Sequence, residues 1–167
     1  PVTIDAHETD ELIMGRRILV TGAGGSIGSE ICRQVLAKKP SLLLALGHGE
    51  QSIYKLMESV RESFPDAKVK AIIADVADTE AMRAVFEKER PEIVFHAAAH
   101  KHVPLMEDNP REAPRVNAMG SSILAEAAGM NGTEKFVMIS TDKAVNPTSV
   151  MGSTKRIAER LIYSLQK

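Results

Sequence analysis

Near the end of the chain, the stretch FVMISTDKAVNPTSVMGSTKR (Phe136 to Arg156) runs from an apolar segment straight into Ser140, Thr141, Asp142 and Lys143. Met151 follows eight residues after Lys143, and Lys155 four beyond that. Polar and charged side chains in succession at the end of an apolar strand are costly to place without partners. A hydroxyl, a carboxylate and an amine together are a set able to pass protons to and from a bound molecule. A spacing of four would put Met151 and Lys155 on one face of a helix.

These residues need a scaffold, and the rest of the chain supplies its pattern. Five apolar runs read as strands buried on both faces: Arg16 to Gly22, Ser41 to Gly47, Val69 to Asp75, Glu92 to Ala99 and Lys135 to Ser140. The segments between and after them read as helices over Ser26–Lys39, Gln51–Ser63, Thr79–Arg90, Pro110–Met130 and Val150–Gln166. Asp78 or Thr79 caps the third helix, and Pro110 and Pro114 suit the first turns of the fourth. Alternating strands and helices predict an α/β domain with a doubly wound parallel sheet. Residues 1–15 read as a linker or arm lying on a domain of residues 16–167. No strand pattern follows the last helix, so the fifth strand is expected to leave an open sheet edge.

The first turn carries the clearest binding signal. In VTGAGGSIGSE, Gly22, Gly25, Ser26, Ile27 and Gly28 lie between the first strand and the first helix. The first glycine permits a tight turn, the second lets backbone approach a pyrophosphate, and the third packs helix on strand. The helix N-terminus then offers free N–H groups to the phosphates. The acidic residue that should take the adenosine ribose after the second strand is missing: Gly47, His48 and Gly49 stand there, with Glu50 late. Either Glu50 reaches the ribose of NAD, the expected cofactor, or His48 meets the 2′-phosphate of NADP.

Composition narrows the partners. The 167 residues carry 21 basic and 22 acidic side chains, a net charge of −1, so no overall field points to nucleic acid or an anionic membrane. The longest apolar run, Leu42 to Leu46, is far short of the about 20 residues that span a bilayer. The single Cys32 reads as a core residue in a reducing compartment. His96, within an apolar run, reads as a core histidine, and HKHVP lacks the further ligands of a metal site. Beginning at Pro1 without a signal pattern, the chain reads as part of a longer protein.

The Gly-x-x-Gly-x-x-Gly spacing of the turn resembles the short-chain dehydrogenase/reductase superfamily, and its extended branch acts on nucleotide sugars. The resemblance implies that Asp75 and Val76 hold the adenine, that Ala97, Ala98 and Ala99 wall the cofactor, and that Asn117 supports it. The superfamily's Tyr-x-x-x-Lys pair reads here Met151 to Lys155, with the phenol gone. HAAAHKHVPLMEDNP, ISTDKAVNPTSVMGSTKRIAE and GAGGSIGSE resemble the CapD-like polysaccharide-biosynthesis proteins, nucleotide-sugar 4,6-dehydratases that carry methionine at that place. Two departures are His100, where that group has Tyr or Leu, and the segment APRVNAMG around Asn117.

The likeness implies that hydride leaves C4 of a UDP-N-acetylglucosamine-type sugar, water is lost across C5 and C6, and hydride returns to C6. Lys143 is then the base at C5, Asp142 the acid at the C6 hydroxyl, Thr141 a partner of the C4 oxygen, and Lys155 the holder of the nicotinamide ribose. An acid at Asp142 needs a raised pKa, and the neighbouring Lys143 opposes that. The C4 hydroxyl proton would leave to Lys155 through water or through Thr141. Lys101 and His102 would meet sugar or diphosphate. The family further implies a homo-oligomer built on the fourth and last helices, a substrate lobe beyond this chain, and a cytoplasmic domain tied to a membrane only through other segments. A nucleotide-sugar epimerase and a non-catalytic NAD(P)-sensing module are the alternatives.

Overall fold

The computed structural model describes residues 11–165. Its strands are β1 (Arg17–Thr21), β2 (Leu42–Gly47), β3 (Val69–Ile73), β4 (Ile93–His96) and β5 (Lys135–Met138). They form one parallel sheet in the order β3-β2-β1-β4-β5. The order reverses between β1 and β4, and at such a switch point the loops leave in opposite directions and open a crevice. The helices are α1 (Ser26–Ala37), α2 (Glu50–Ser63), α3 (Thr79–Glu89), α4 (Val103–Asp108), α5 (Gly120–Met130) and α6 (Val150–Leu165). The expected end of the last helix at Gln166 lies outside the described residues.

The strand period of two divides the continuous apolar runs between two cores. Ile18, Val20, Leu43 and Ala45 pack with Cys32 and Val35 of α1 and Ile53, Leu56 and Val60 of α2. Leu19, Leu44, Leu46 and Val94 pack with Met82 and Phe86 of α3 and Leu124 of α5. Burial holds the Cys32 thiol up to about 12, and Ile13 joins the first core. Both cores share β1 and β2, which fixes the ends of these strands rigidly beneath the crevice.

Three readings of the sequence need correction. β3 and β5 are edge strands with neighbours on one side only, so Ile73 is 52% and Val137 41% exposed, not buried on both faces. Next, the helix expected over 110–130 begins later, after the short α4, in which Pro104 occupies the first turn and the Asn109 amide donates to the Leu105 carbonyl. Pro110 falls in the connecting turn. Finally, residues Pro114–Met119 form a π-helical turn, closed by the Gly120 N–H on the Arg115 carbonyl. Pro114 has no N–H to donate to residue 110, which loosens the α-helical register there. The α3 cap is Asp78, whose carboxylate accepts from the Ala81 N–H at 3.0 Å.

Candidate active site

A cleft of about 650 Å³ opens at the carboxyl ends of β1, β2, β4 and β5. Its floor is the glycine turn. Gly22 has φ 65°, and a Cβ there would lie 2.6 Å from the Ala98 nitrogen; on Gly28 it would fall on the Gly22 carbonyl. The turn therefore closes only with glycine at both places. Gly25 is exposed and forms the N-cap of α1 without a side-chain hydrogen bond, which leaves the helix N-terminus open to the cleft beside Ser26 and Ile27. Lys101 donates to the Ser26 hydroxyl at 3.2 Å, adding a cation at the same spot. Free amides, a helix dipole and an ammonium are what a pyrophosphate needs, so the turn fits a dinucleotide.

Of the two residues expected at the adenosine ribose, one lines the cleft and the other does not. His48 lines the cleft, whereas Glu50 is the first residue of α2, exposed and outside the lining. Asp75 accepts from the Ala77 N–H at 2.9 Å and from Arg115 at 2.8 Å. Partial burial pushes the Asp75 carboxyl up, but these bonds and the charges of Arg115 and His48 outweigh it, and it rests below its ordinary value. Arg115 also grips Glu112, so Asp75 is latched to the helix containing the π-turn. Val76 is buried and lines the cleft with Ala97, Ala98, Ala99 and His100. Asn117 does not line it. From inside the protein its side-chain carbonyl accepts the His100 N–H at 2.8 Å and its amide donates to the His100 carbonyl at 3.0 Å. His102 also lies outside the lining, exposed at the start of α4.

The opposite wall holds Ile139, Ser140, Thr141, Lys143, Met151 and Lys155. Lys155 is 5% exposed, and its ammonium donates to the Ile139 carbonyl at 2.6 Å. Burial holds it below the ordinary lysine value, against the pull of Glu159. Met151 packs on Met106 and Ala113 one helical turn away. Thr141 caps the 3₁₀ turn Asp142–Ala144. A Cβ on Gly152 would strike the Lys143 carbonyl, so this glycine lets the turn lie on α6.

Asp142 departs from the expectation for an acid. Its side chain is 90% exposed, it is not among the lining residues, and its carboxylate stands 3.8 Å from the Lys143 ammonium. The Thr141 hydroxyl donates to it at 2.9 Å. That bond, then the Lys143 charge and N–H, hold the Asp142 carboxyl below its ordinary value instead of above it. Desolvation pushes the other way but is too small at this exposed position to reverse the order.

Sequence reasoning missed Arg115 and His100 as lining residues, gave Ser140 no role of its own, and missed the carbonyl that holds Lys155. The adjacency of Arg115 to Asn117 was the only signal for the first, and a backbone partner leaves no mark in residue types. Among the described residues, no group of three or more His, Cys, Asp or Glu side chains could hold a metal, and no helix is long and apolar enough to cross a membrane.

A parallel sheet of order 3-2-1-4-5, with a glycine turn at its switch point, makes this a Rossmann domain of the short-chain dehydrogenase/reductase type. The solved structure of Pen from Bacillus thuringiensis superposes with a TM-score of 0.86 at 32% identity, over 92% of this chain and 46% of that one. The family model described as polysaccharide biosynthesis protein matches residues 18–167, and the chain belongs to that family. It is 54% identical to the probable polysaccharide biosynthesis protein EpsC of Bacillus subtilis and 50% to the capsular polysaccharide biosynthesis protein CapD of Staphylococcus aureus, over its whole length. It spans 28% of the length of each of them. At 34% identity, over 90% of this chain and 43% of each relative, stand a UDP-N-acetylglucosamine 4,6-dehydratase (inverting) of Campylobacter jejuni and a UDP-glucose 4-epimerase of Rickettsia massiliae.

Proposed function

We propose that this chain is the cofactor-binding and catalytic core of a UDP-N-acetylglucosamine 4,6-dehydratase in surface polysaccharide synthesis. The observation that carries the reading is the second wall of the cleft. Thr141, Lys143 and Lys155 meet there beside Met151, with Asp142 next to Lys143 at the rim. An epimerase needs no such carboxylate and amine, and the equal 34% identity to an epimerase keeps that activity as the second reading.

NAD, with NADP the alternative, supplies the hydride acceptor and donor. Gly22, Gly25, Ser26, Ile27, Gly28 and Lys101 hold the pyrophosphate; Asp75 and Val76 hold the adenine; Ala97 to Ala99 close the side. Lys155 orients the nicotinamide ribose through ammonium hydrogens not used by Ile139. Met151 shapes the apolar face against which nicotinamide or sugar rests. Lys143 removes the C5 proton, made acidic by the C4 ketone, and Asp142 protonates the departing C6 hydroxyl.

Thr141 links these roles. Its hydroxyl now stabilises ionised Asp142. When it turns to the C4 oxygen of the sugar, Asp142 loses the largest interaction holding its proton affinity down, and the sugar covers it from water. Both changes raise the pKa of Asp142, the direction an acid requires. The substrate therefore prepares its own acid.

The test takes the protein extended to the length of its relatives, with UDP-N-acetylglucosamine and NAD in deuterated water. Loss of one water with one deuterium gained at C5 is the expected mass change. Recovered sugar without deuterium, from protein shown to bind NAD, would contradict the reading.

A further inference from the structure

One feature of the interior is untouched by the chemistry above: a run of buried polar side chains joining both walls of the cleft. Thr21, His96, Asn117, Ser121 and Thr154 are each at most 3% exposed. The Thr21 hydroxyl lies 2.7 Å from His96 Nδ1, and His96 Nε2 lies 2.9 Å from the Ser121 hydroxyl. The Ser121 hydroxyl donates to the Asn117 main-chain carbonyl, one helical turn back, at 2.6 Å. The Asn117 amide donates to Thr154 at 3.1 Å, and Thr154 donates to the Met151 carbonyl at 2.7 Å.

The protons in this run can be placed by elimination. A hydroxyl has one hydrogen. Ser121 gives its hydrogen to Asn117, so it can only accept from His96, and Nε2 must carry the ring proton. Burial, and behind it the nearby charge of Lys155, push the His96 pKa down to about 3, so the ring is neutral and Nδ1 is bare. Thr21 then donates to Nδ1, and its oxygen accepts the Ala98 N–H at 3.4 Å. The order runs from Ala98 through Thr21, His96 and Ser121 to Asn117. Asn117 in turn clasps His100 and, through Thr154, reaches the helix position next to Lys155. The run from His96 ends on the Asn117 main chain, and the Asn117 side chain makes its own bonds to His100 and Thr154.

We propose that His96, fixed as its neutral Nε2–H tautomer between Thr21 and Ser121, is a positioning residue that sets the Ala97–Lys101 wall of the cofactor cleft against the π-turn and α5. The idea rests on the cleft being the NAD site. Neither Thr21 nor His96 touches the cleft, so any effect on binding passes through the wall.

The test uses the 167-residue chain and two variants at Thr21. Thr21→Val keeps the shape and loses the hydroxyl; Thr21→Ser keeps the hydroxyl and loses a methyl. Nitrogen NMR of wild type at pH 7 is expected to show His96 protonated at Nε2 and bare at Nδ1. Thr21→Val should exchange its Ala98 amide hydrogen, and release NAD, about tenfold more readily than wild type, the scale of one unmet buried hydrogen bond. Thr21→Ser should stay within about twofold on both readouts, whatever its melting temperature. A proton on Nδ1, or equal behaviour of the two variants in Ala98 exchange, would overturn the proposal. Failure of wild-type chain to bind NAD would instead sink the reading of the cleft, and the His96 tautomer in wild type and its change in Thr21→Val, read beside Ala98 exchange, would still judge the positioning claim.

Discussion

At the scale of single residues, the site is governed by which charges the protein lets water reach. Asp142 lies in solvent and is held low first by the Thr141 hydroxyl. Thr141→Val in the free protein should therefore raise the Asp142 pKa toward the ordinary aspartate value, read by carboxyl NMR titration. An unmoved or lower value would remove Thr141 from control of the acid. Lys155 presents the opposite case, because its charge is buried and its proton affinity is reduced. The unfolded chain holds this proton more tightly than the folded one, so the contribution of Lys155 to stability rises with pH from its depressed folded value up to the ordinary lysine value near about 10.4. At neutral pH the buried charge costs stability. Lys155→Met should flatten that rise of stability with pH, read as melting temperature against pH. The same variant should weaken NAD binding about tenfold or more by removing a charge-assisted hydrogen bond. Calorimetry and NAD titration check the two halves, and a loss of stability without loss of binding would assign Lys155 to the scaffold.

Elements decide how close these residues come, and here glycine spacing makes separable predictions. Gly28→Ala would drive its Cβ into the Gly22 carbonyl and should cost about 1–3 kcal/mol or more of stability together with cofactor binding. Gly25→Ala meets only the Gly22 carbonyl at 3.3 Å, so it should unfold at nearly the wild-type temperature while losing NAD affinity. Equal thermal losses in the two variants would contradict the division of labour in the turn. The glycine pattern was legible because each of its residues answers a local backbone demand. The strand and helix alternation was legible for the same reason: Leu42 to Leu46 alternates between two cores whatever lies further along the chain. What escaped was set by tertiary position. Val137 and Ile73 are as apolar as central strand residues, and only the order of the sheet exposes them. The π-turn at Pro114–Met119 escaped because a helical pattern does not reveal the loss of one backbone donor. Of Glu50 and His48, both open as partners of the adenosine ribose, the sequence could not tell which would line the cleft, because that depends on where α2 begins. Glu50 is its first residue and His48 lies in the lining.

For the whole molecule, two cores on either side of one sheet make a rigid base, and the cleft sits where that sheet divides. Cys32 reports on the base. With its thiol buried and held up to about 12, alkylation at pH 8 should be about a thousandfold slower than for a free thiol until the chain unfolds. Rapid native labelling would mean that the α1 side opens independently. On the proposed reading the cleft would serve either outcome of nucleotide-sugar chemistry, since both begin with hydride leaving C4. They part in where the hydride returns. The deciding measurement gives the protein, at the length of its relatives, UDP-N-acetylglucosamine carrying deuterium at C4, and locates the label in the product by NMR. Deuterium in a C6 methyl group of a 4-keto product is expected. Deuterium returned to C4, on a sugar that keeps its C6 hydroxyl, would contradict the dehydratase reading and make the chain an epimerase core.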